Sequence, residues 1–313
     1  MAARSQRIAV VVPTFNAGAL WGAWLAAMKR QTCVPDVVLV IDSGSSDDTV
    51  LLARQHGFTV REIEQRYFDH GGTRQSGVDA LVDIDIVCFL TQDAILADAD
   101  ALALLVRCFD DDHVGVACGR QLPRHGANAI EAHARLFNYS AVSAVRRFAD
   151  RERLGLRAAF CSNSFAAYRR SALEAVGGFP RNVIFGEDMW VAARILKAGW
   201  SLCYCAEASV VHSHGYSASQ EFSRYFDIGV FHAAEHWLIE DFGRVSGEGA
   251  RFLRSEIKYL LPRAPWLIPL MLWRTLLKLT AYRLGLLSRH FPNGISRRLS
   301  MNKNYWRQMD KAE

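Results

Sequence analysis

Several signatures are missing from this chain, and each absence narrows what it can be. The seven cysteines include no CxxC pair, so a zinc site of the paired-cysteine kind has no scaffold. Cys203 and Cys205 alternate along an extended stretch and read as buried structural thiols, and an odd, scattered set points to a reducing compartment. The apolar run at residues 8–12 is too short for the h-region of a signal peptide and reads as a first strand. No GxGxxG follows it, which removes the main support for a dehydrogenase-type dinucleotide fold. Residues 13–18 carry no basic side chain, whereas a nucleotidyltransferase is expected to place a Lys- or Arg-containing loop there. There is no internal repeat and no low-complexity segment. Acid is scarce near the end: from Ala250 onward thirteen lysines and arginines face only Glu256, Asp310 and Glu313, so the net charge of +5 joins a basic tail to an acidic remainder.

Half of the 313 residues are hydrophobic and 22% are charged, as in a globular chain with a large core, in one domain plus an appendage or in two domains. Strand patterns at 8–12, 37–41, 59–63 and 84–90 alternate with helical spacing at 20–30 and 47–56. That alternation predicts an α/β fold, an open, mostly parallel sheet with helices on both faces. Further strands are expected at 114–118, 164–168, 201–205 and 209–211, with helices at 129–148 and 190–197. Beyond Ser219 the chain reads as helical, with breaks at 243–249 and 262–269. The expected division is residues 1–217 as the α/β domain and 218–313 as a basic helical region.

Ligands of open α/β sheets lie beyond the carboxyl ends of the strands, where the polar turns of this sequence fall. Pro13-Thr14-Phe15-Asn16 ends the first strand and Asp42-Ser43-Gly44-Ser45 the second. An aromatic ring beside a carboxylate there can stack a uracil or thymine and accept its imide N–H. The bland alternative is a turn built by Asp42 and Ser43 with Asp47 capping the next helix. In His70-Gly71-Gly72-Thr73-Arg74 the glycines permit close backbone approach to a ligand and Arg74 offers a phosphate partner; a glycine-rich helix entry with a surface arginine is the alternative. Thr91-Gln92-Asp93 closes an apolar run, and Asp93 has the oxygen chemistry for Mg²⁺ or Mn²⁺. His212 and His214 point the same way on an extended stretch, so one of them can complete such a site, or both are structural. Gly186-Glu187-Asp188-Met189-Trp190 opens an amphipathic helix, and adjacent carboxylates on a helix start diverge by roughly 100°. One can serve as a base while the other caps or pairs; neutralisation of the helix dipole is the alternative.

In the tail, residues 266–273 run Trp-Leu-Ile-Pro-Leu-Met-Leu-Trp, followed by Leu276, Leu277 and Leu279 with Arg274, Lys278 and Arg283 among them. That mixture suits an anionic membrane surface and not nucleic acid. The longest uncharged run there, residues 264–273, is about half the ~20 residues needed to span a bilayer. A helical subdomain packed on the core with a solvated basic face is the alternative.

Taken in order, VVVPTFNAG, VLVIDSGSSDDT, FDHGGTRQ, FLTQDA, GGFP, GEDMWVAARILKAG, VVHSHGYS and QEFSRYFDIGVFH resemble the family 2 glycosyltransferases. FDHGGTRQ, TQDA and HSHGYS resemble their rhamnosyltransferase-like branch. The resemblance runs from Ile8 to about Phe231. It implies a GT-A fold and an inverting transfer of a sugar, L-rhamnose from dTDP-β-L-rhamnose, onto a hydroxyl of a lipid-linked glycan in cell-surface polysaccharide synthesis. The setting implied is cytoplasmic, at the inner face of the membrane. It also implies that Pro13, Thr14, Phe15, Asp42, Ser43 and Arg74 hold the nucleotide. Asp93 with His212 or His214 meets the diphosphate and metal, Asp188 is the base and Glu187 supports it. His70, Gly71, Gly72, Gln92, Asn163 and Trp190 line the donor or acceptor side. Gln92 departs from the two-carboxylate pattern often found at its position. A UDP-hexose or N-acetylhexosamine transferase, or a catalytically silent sugar-nucleotide scaffold, stays open as an alternative.

Overall fold

Burial on both sides of successive strands decides the architecture. In β1 (Ile8–Thr14), Ala9 and Val11 join the core on one face, Val10 and Val12 the core on the other. β2 (Val37–Asp42) and β4 (Ile86–Leu90) are buried almost throughout, while β3 (Thr59–Glu62) is mostly exposed and closes the sheet with Arg61 and Glu62, charges that suit an edge. β5 (Ile95–Leu96), β6 (Val114–Leu122), β7 (Ala144–Arg146), β8 (Phe165–Arg169) and β9 (Ser201–Val211) complete the set. The computed structural model describes residues 6–213, 215–243 and 247–309. It arranges the strands in one nine-stranded sheet, β3-β2-β1-β4-β8-β6-β9-β5, with β7 paired to β9.

From β3 to β4 every pairing is parallel. β8 then runs antiparallel to both β4 and β6, and β6 is parallel to β9. The sheet is therefore parallel where the polar turns cluster and mixed beyond. The two strands expected at 201–205 and 209–211 are one: β9 pairs Cys205 with Gly119 and then Ser209 with Arg120, so a register shift absorbs the intervening residues. The helix expected over 129–148 stops at Asn138. Beyond it, Tyr204 donates to the Ser140 carbonyl and Ala206 N–H to Ser143 Oγ, drawing the segment onto the sheet edge as β7.

Helices α1 (Trp21–Lys29), α2 (Thr49–Gln55) and α4 (Ala101–Val106) cover one face through Trp21, Trp24, Ala53 and Leu102. α3 (His70–Ala80), α7 (Arg170–Ala175) and α8 (Glu187–Lys197) cover the other through Val78, Leu173 and Val191. α5 (Ala129–Asn138) and α6 (Arg151–Leu154) lie in the intervening connections. The remaining helices are α9 (Ala218–Ala234), α10 (Trp237–Phe242), α11 (Glu248–Leu260), α12 (Ile268–Leu286), α13 (Asn293–Leu299) and α14 (Lys303–Met309). They are not a detached appendage, because Phe226, Phe231, Leu238, Phe242, Ala281 and Trp306 share one core with Val11 and Phe89. α9 and α12 cross through glycine: a Cβ on Gly229 or Gly285 would strike the backbone of the opposite helix.

Candidate active site

Gly186 adopts a left-handed conformation (φ +76°) and turns the chain into α8, which places Glu187 and Asp188 in the first turn. Their environments differ sharply. Glu187 is 5% exposed, whereas Asp188 is partly exposed. Arg74 Nη1 lies 3.0 Å from Glu187 Oε1 in a buried ion pair. Asn163 braces both carboxylates, donating from Nδ2 to Glu187 Oε1 at 3.3 Å and from its backbone N–H to Asp188 Oδ2 at 3.1 Å. The Tyr168 hydroxyl donates to Asn163 Oδ1 and so orients that amide, and Met189 N–H donates to Asp188 Oδ1. Burial alone would raise the Glu187 carboxyl, but Arg74 and then His70 hold it below its ordinary value. Burial, and next the Glu187 charge, push Asp188 up to about 7. Adjacent carboxylates driven apart in this way are the arrangement in which one stays ionised and the other exchanges a proton near neutral pH.

Arg74, expected to face a phosphate, is paired here with the buried Glu187 carboxylate. α3 turns its guanidinium inward, where Nη1 also bonds the His70 carbonyl at 2.9 Å, and the buried Glu187 carboxylate takes its charge. The glycines before it are tightly packed. A Cβ on Gly71 would collide with the Pro180 carbonyl oxygen, and one on Gly72 with Asp69, whose carboxylate caps α3 through Gly72 N–H at 2.7 Å. Asn163 is buried and bonds both carboxylates. Trp190 donates from Nε1 to Glu235 Oε2 at 2.8 Å, stacks edge-on with Trp237 and carries Arg194 over its ring, tying α8 to the C-terminal helices. His70 is held below its ordinary value by burial. Beside it a cavity of roughly 280 Å³ lies between α3 and the C-terminal segment, lined by Phe68, His70, Ile184, Asn302 and Tyr305. Asp227 anchors that segment, accepting from Met301 N–H and from Asn302 N–H and Nδ2.

At the strand ends, Asp42 is fully buried and its carboxylate is saturated. Oδ1 accepts from Thr14 Oγ1 and Ser45 Oγ, and Oδ2 from the Gly44 and Ser45 N–H groups. A carboxylate offers about four lone-pair sites, and here the loop's own donors fill them. Ser43 is buried likewise, its hydroxyl donating to the Thr14 carbonyl. Pro13 is half-buried in β1 beside Ile41. Phe15 differs, with 40% of its surface open at the β1 end. Gln92 holds it there by a two-way clip: Phe15 N–H donates to Gln92 Oε1 at 2.8 Å, and Gln92 Nε2 donates back to the Phe15 carbonyl at 3.1 Å. A carboxylate at 92 has no donor and cannot make the second bond, which accounts physically for the amide.

Asp93 meets His212, with Oδ1 3.4 Å from Nε2. Two residues absent from the sequence reading orient that imidazole. Gln121 Nε2 donates to Ser162 Oγ, and its Oε1 accepts from Arg135 Nη1, so an amide oxygen faces His212 Nδ1 at 2.9 Å. Nδ1 therefore carries the proton, and in the neutral ring Nε2 directs a lone pair at a carboxylate. Imidazole plus carboxylate is a donor set that suits a first-row divalent metal. Gln121 and Arg135 carry no local signal in the sequence, because they reach the site only through the β6–β9 pairing and α5. His214 lies outside the described residues. Among those described, no group of three or more His, Cys, Asp or Glu side chains forms a ready-made metal cluster.

The model of the family described as Glycosyl transferase family 2 matches residues 9–177. The chain is 50% identical over 301 residues to the O-antigen chain rhamnosyltransferase RfbN of Salmonella typhimurium, covering 96% of each. It is 47% identical over 298 residues to the O-antigen chain rhamnosyltransferase WbaN of Salmonella anatum, covering 95% of each. Among solved structures, a mannosyltransferase from Pyrobaculum calidifontis in complex with GDP-Man and Mn²⁺ superposes with a TM-score of 0.55 at 23% identity. That match covers 97% of this chain and 84% of the other, and the likeness is one of fold.

Proposed function

We propose, from the premise that this chain belongs to glycosyl transferase family 2 and is a glycosyltransferase, that it is an inverting rhamnosyltransferase. It moves L-rhamnose from dTDP-β-L-rhamnose onto a hydroxyl of a lipid-linked glycan in O-antigen-type polysaccharide synthesis, at the cytoplasmic face of the membrane. The observation that carries the catalytic reading is the split pair: Glu187 locked to Arg74, Asp188 raised to about 7 and partly accessible. The donor reading is supported by the two rhamnosyltransferase relatives.

Asp188 accepts the proton of the acceptor hydroxyl as its oxygen bonds to the anomeric carbon from the side opposite the diphosphate. The carbon–oxygen bond to the diphosphate breaks, the electron pair leaves with it, and the β donor gives an α product. Phe15 stacks the base. Asp93 and His212 would hold a divalent ion, Mn²⁺ by the nitrogen in the donor set, with Mg²⁺ the alternative. Such an ion, when bound, neutralises charge on the departing diphosphate.

Asp188→Asn is expected to lower turnover by about 10² to 10⁴-fold, the range general-base catalysis supplies, with dTDP-sugar affinity nearly unchanged. Near-normal turnover in that variant would remove Asp188 from the base position. Thermal shift and slow donor hydrolysis across dTDP- and UDP-sugars, with and without Mn²⁺ or Mg²⁺, test the donor. A response to UDP-hexose or UDP-N-acetylhexosamine alone would keep the family and overturn rhamnosyl transfer.

A further inference from the structure

A helix on the surface of a soluble protein ordinarily turns leucine inward and charge outward. α12 does the reverse. Two of its three cations face the protein: Arg274 Nε lies 3.1 Å and Lys278 Nζ 3.6 Å from the Glu221 carboxylate of α9, with side-chain exposures of only 15% and 16%. Its outer surface is apolar, with Trp266 in the preceding turn 73% exposed, Trp273 51%, Leu276 64% and Leu279 55%. Leu270 and Leu272 extend the same surface. The inversion is fixed by the backbone, because the Gly229–Gly285 crossing and the Glu221 ion pairs leave α12 one way to face.

We infer that the outer face of α12 is a docking surface for an anionic phospholipid bilayer, on which the helix lies parallel to the membrane plane. This rests on the placement at the membrane face proposed above and deepens it. Charge selects the occupant. Residues 257–309 contain no acidic side chain, Arg263, Arg283, Arg289 and Arg298 are exposed, and Arg283 lies seven and four residues beyond Leu276 and Leu279, on their face of α12. A second copy of the chain would bring these like charges against their own counterparts, whereas anionic headgroups complement them. No helix among the described residues is long and apolar enough to cross a membrane, so the contact is interfacial. α12 packs on α9, and Phe231 of α9 lies against Gly186, where a Cβ would come within 3.0 Å of its ring. The membrane face and the Asp188 turn are thereby held in one rigid relation.

The test uses the full chain and the double variant Trp273→Glu/Leu276→Glu, both positions remote from the reacting groups. Flotation is measured with phosphatidylcholine vesicles and with vesicles containing phosphatidylglycerol, at low and high salt. Sedimentation velocity and dTDP-rhamnose hydrolysis are measured in parallel. The native chain should float with anionic vesicles in a salt-sensitive way, and the double variant about tenfold less or weaker still, with hydrolysis unchanged and both proteins monomeric. Failure of the native chain to float, or equal flotation of the variant, overturns the inference. A native dimer dissolved by the double variant also overturns it, in favour of self-association. Flotation as expected with no donor hydrolysed by the native chain supports the surface while removing the rhamnosyl reading.

Discussion

Glu187 and Asp188 are neighbours in sequence with opposite duties, and the difference lies in what each touches. Replacing Glu187 by Gln removes the charge that helps hold Asp188 at about 7, so the acid limb of the kcat/KM profile should move to lower pH. Arg74→Gln should move it upward, because Arg74 lowers Asp188. It also leaves Glu187 buried without its partner, a loss worth about 3–5 kcal/mol. Arg74→Lys, which keeps the charge, should leave the limb near its native position. Coincident limbs in Glu187→Gln and Arg74→Gln would mean that the pair does not tune the base. The Glu187–Asp188 pair, Asp93 and the His212/His214 alternative can be singled out in the sequence by residue type and strand or helix end, but which member of each pair takes which part cannot. The partnership of Arg74 is not legible, since an arginine at that point of a helix can turn toward the ligand or toward α8, and only the packing of two helices decides. Asp42 shows the same limit: its residue type suits a base imide, but the four bonds it accepts from its own loop could not be read from the sequence.

At the level of elements, α3 enters the site where its first turn meets the Pro180 carbonyl. Gly71→Ala forces a methyl against that backbone and should cost about 1–3 kcal/mol or more, read as a fall in Tm. α11 contributes a buried carboxylate, Glu256, with no hydrogen-bond partner on either oxygen among the described residues. Burial raises it from 4.5 to about 7 against the pull of Lys278 and Arg274, with Glu221 adding to the rise. The folded state therefore binds this proton more tightly than the unfolded chain. Stability is lost as pH climbs from about 4.5 to about 7 and then levels. Glu256→Gln should flatten that decline and raise Tm at pH 7.5; an unchanged or lower Tm there would contradict it. Element types were readable from periodicity along most of the chain, as in β1, β2, α1 and α8. The departures, α5 ending at Asn138 and β9 running unbroken, arise where hydrogen bonds to a distant strand outweigh local pattern.

On the scale of the whole molecule, the parallel half of the sheet follows from alternation of strand and helix, but the reversal at β8 has no local signature. Order along the chain says little about which strand inserts between β4 and β6. The charge asymmetry was visible from composition, yet composition alone places Arg274 and Lys278 on the surface, whereas both face inward. The glycine crossing of α9 and α12 carries a further consequence for how this protein tolerates change. Because the two backbones meet directly, no side chain on the far side of α12 helps seat it. Randomising positions 266, 270, 273 and 276 should therefore leave thermal unfolding nearly unaltered, while almost any replacement at 229 or 285 abolishes folded protein. The outer surface is mutationally independent of the fold that presents it, so selection can remodel what the enzyme docks against without re-optimising the catalytic half.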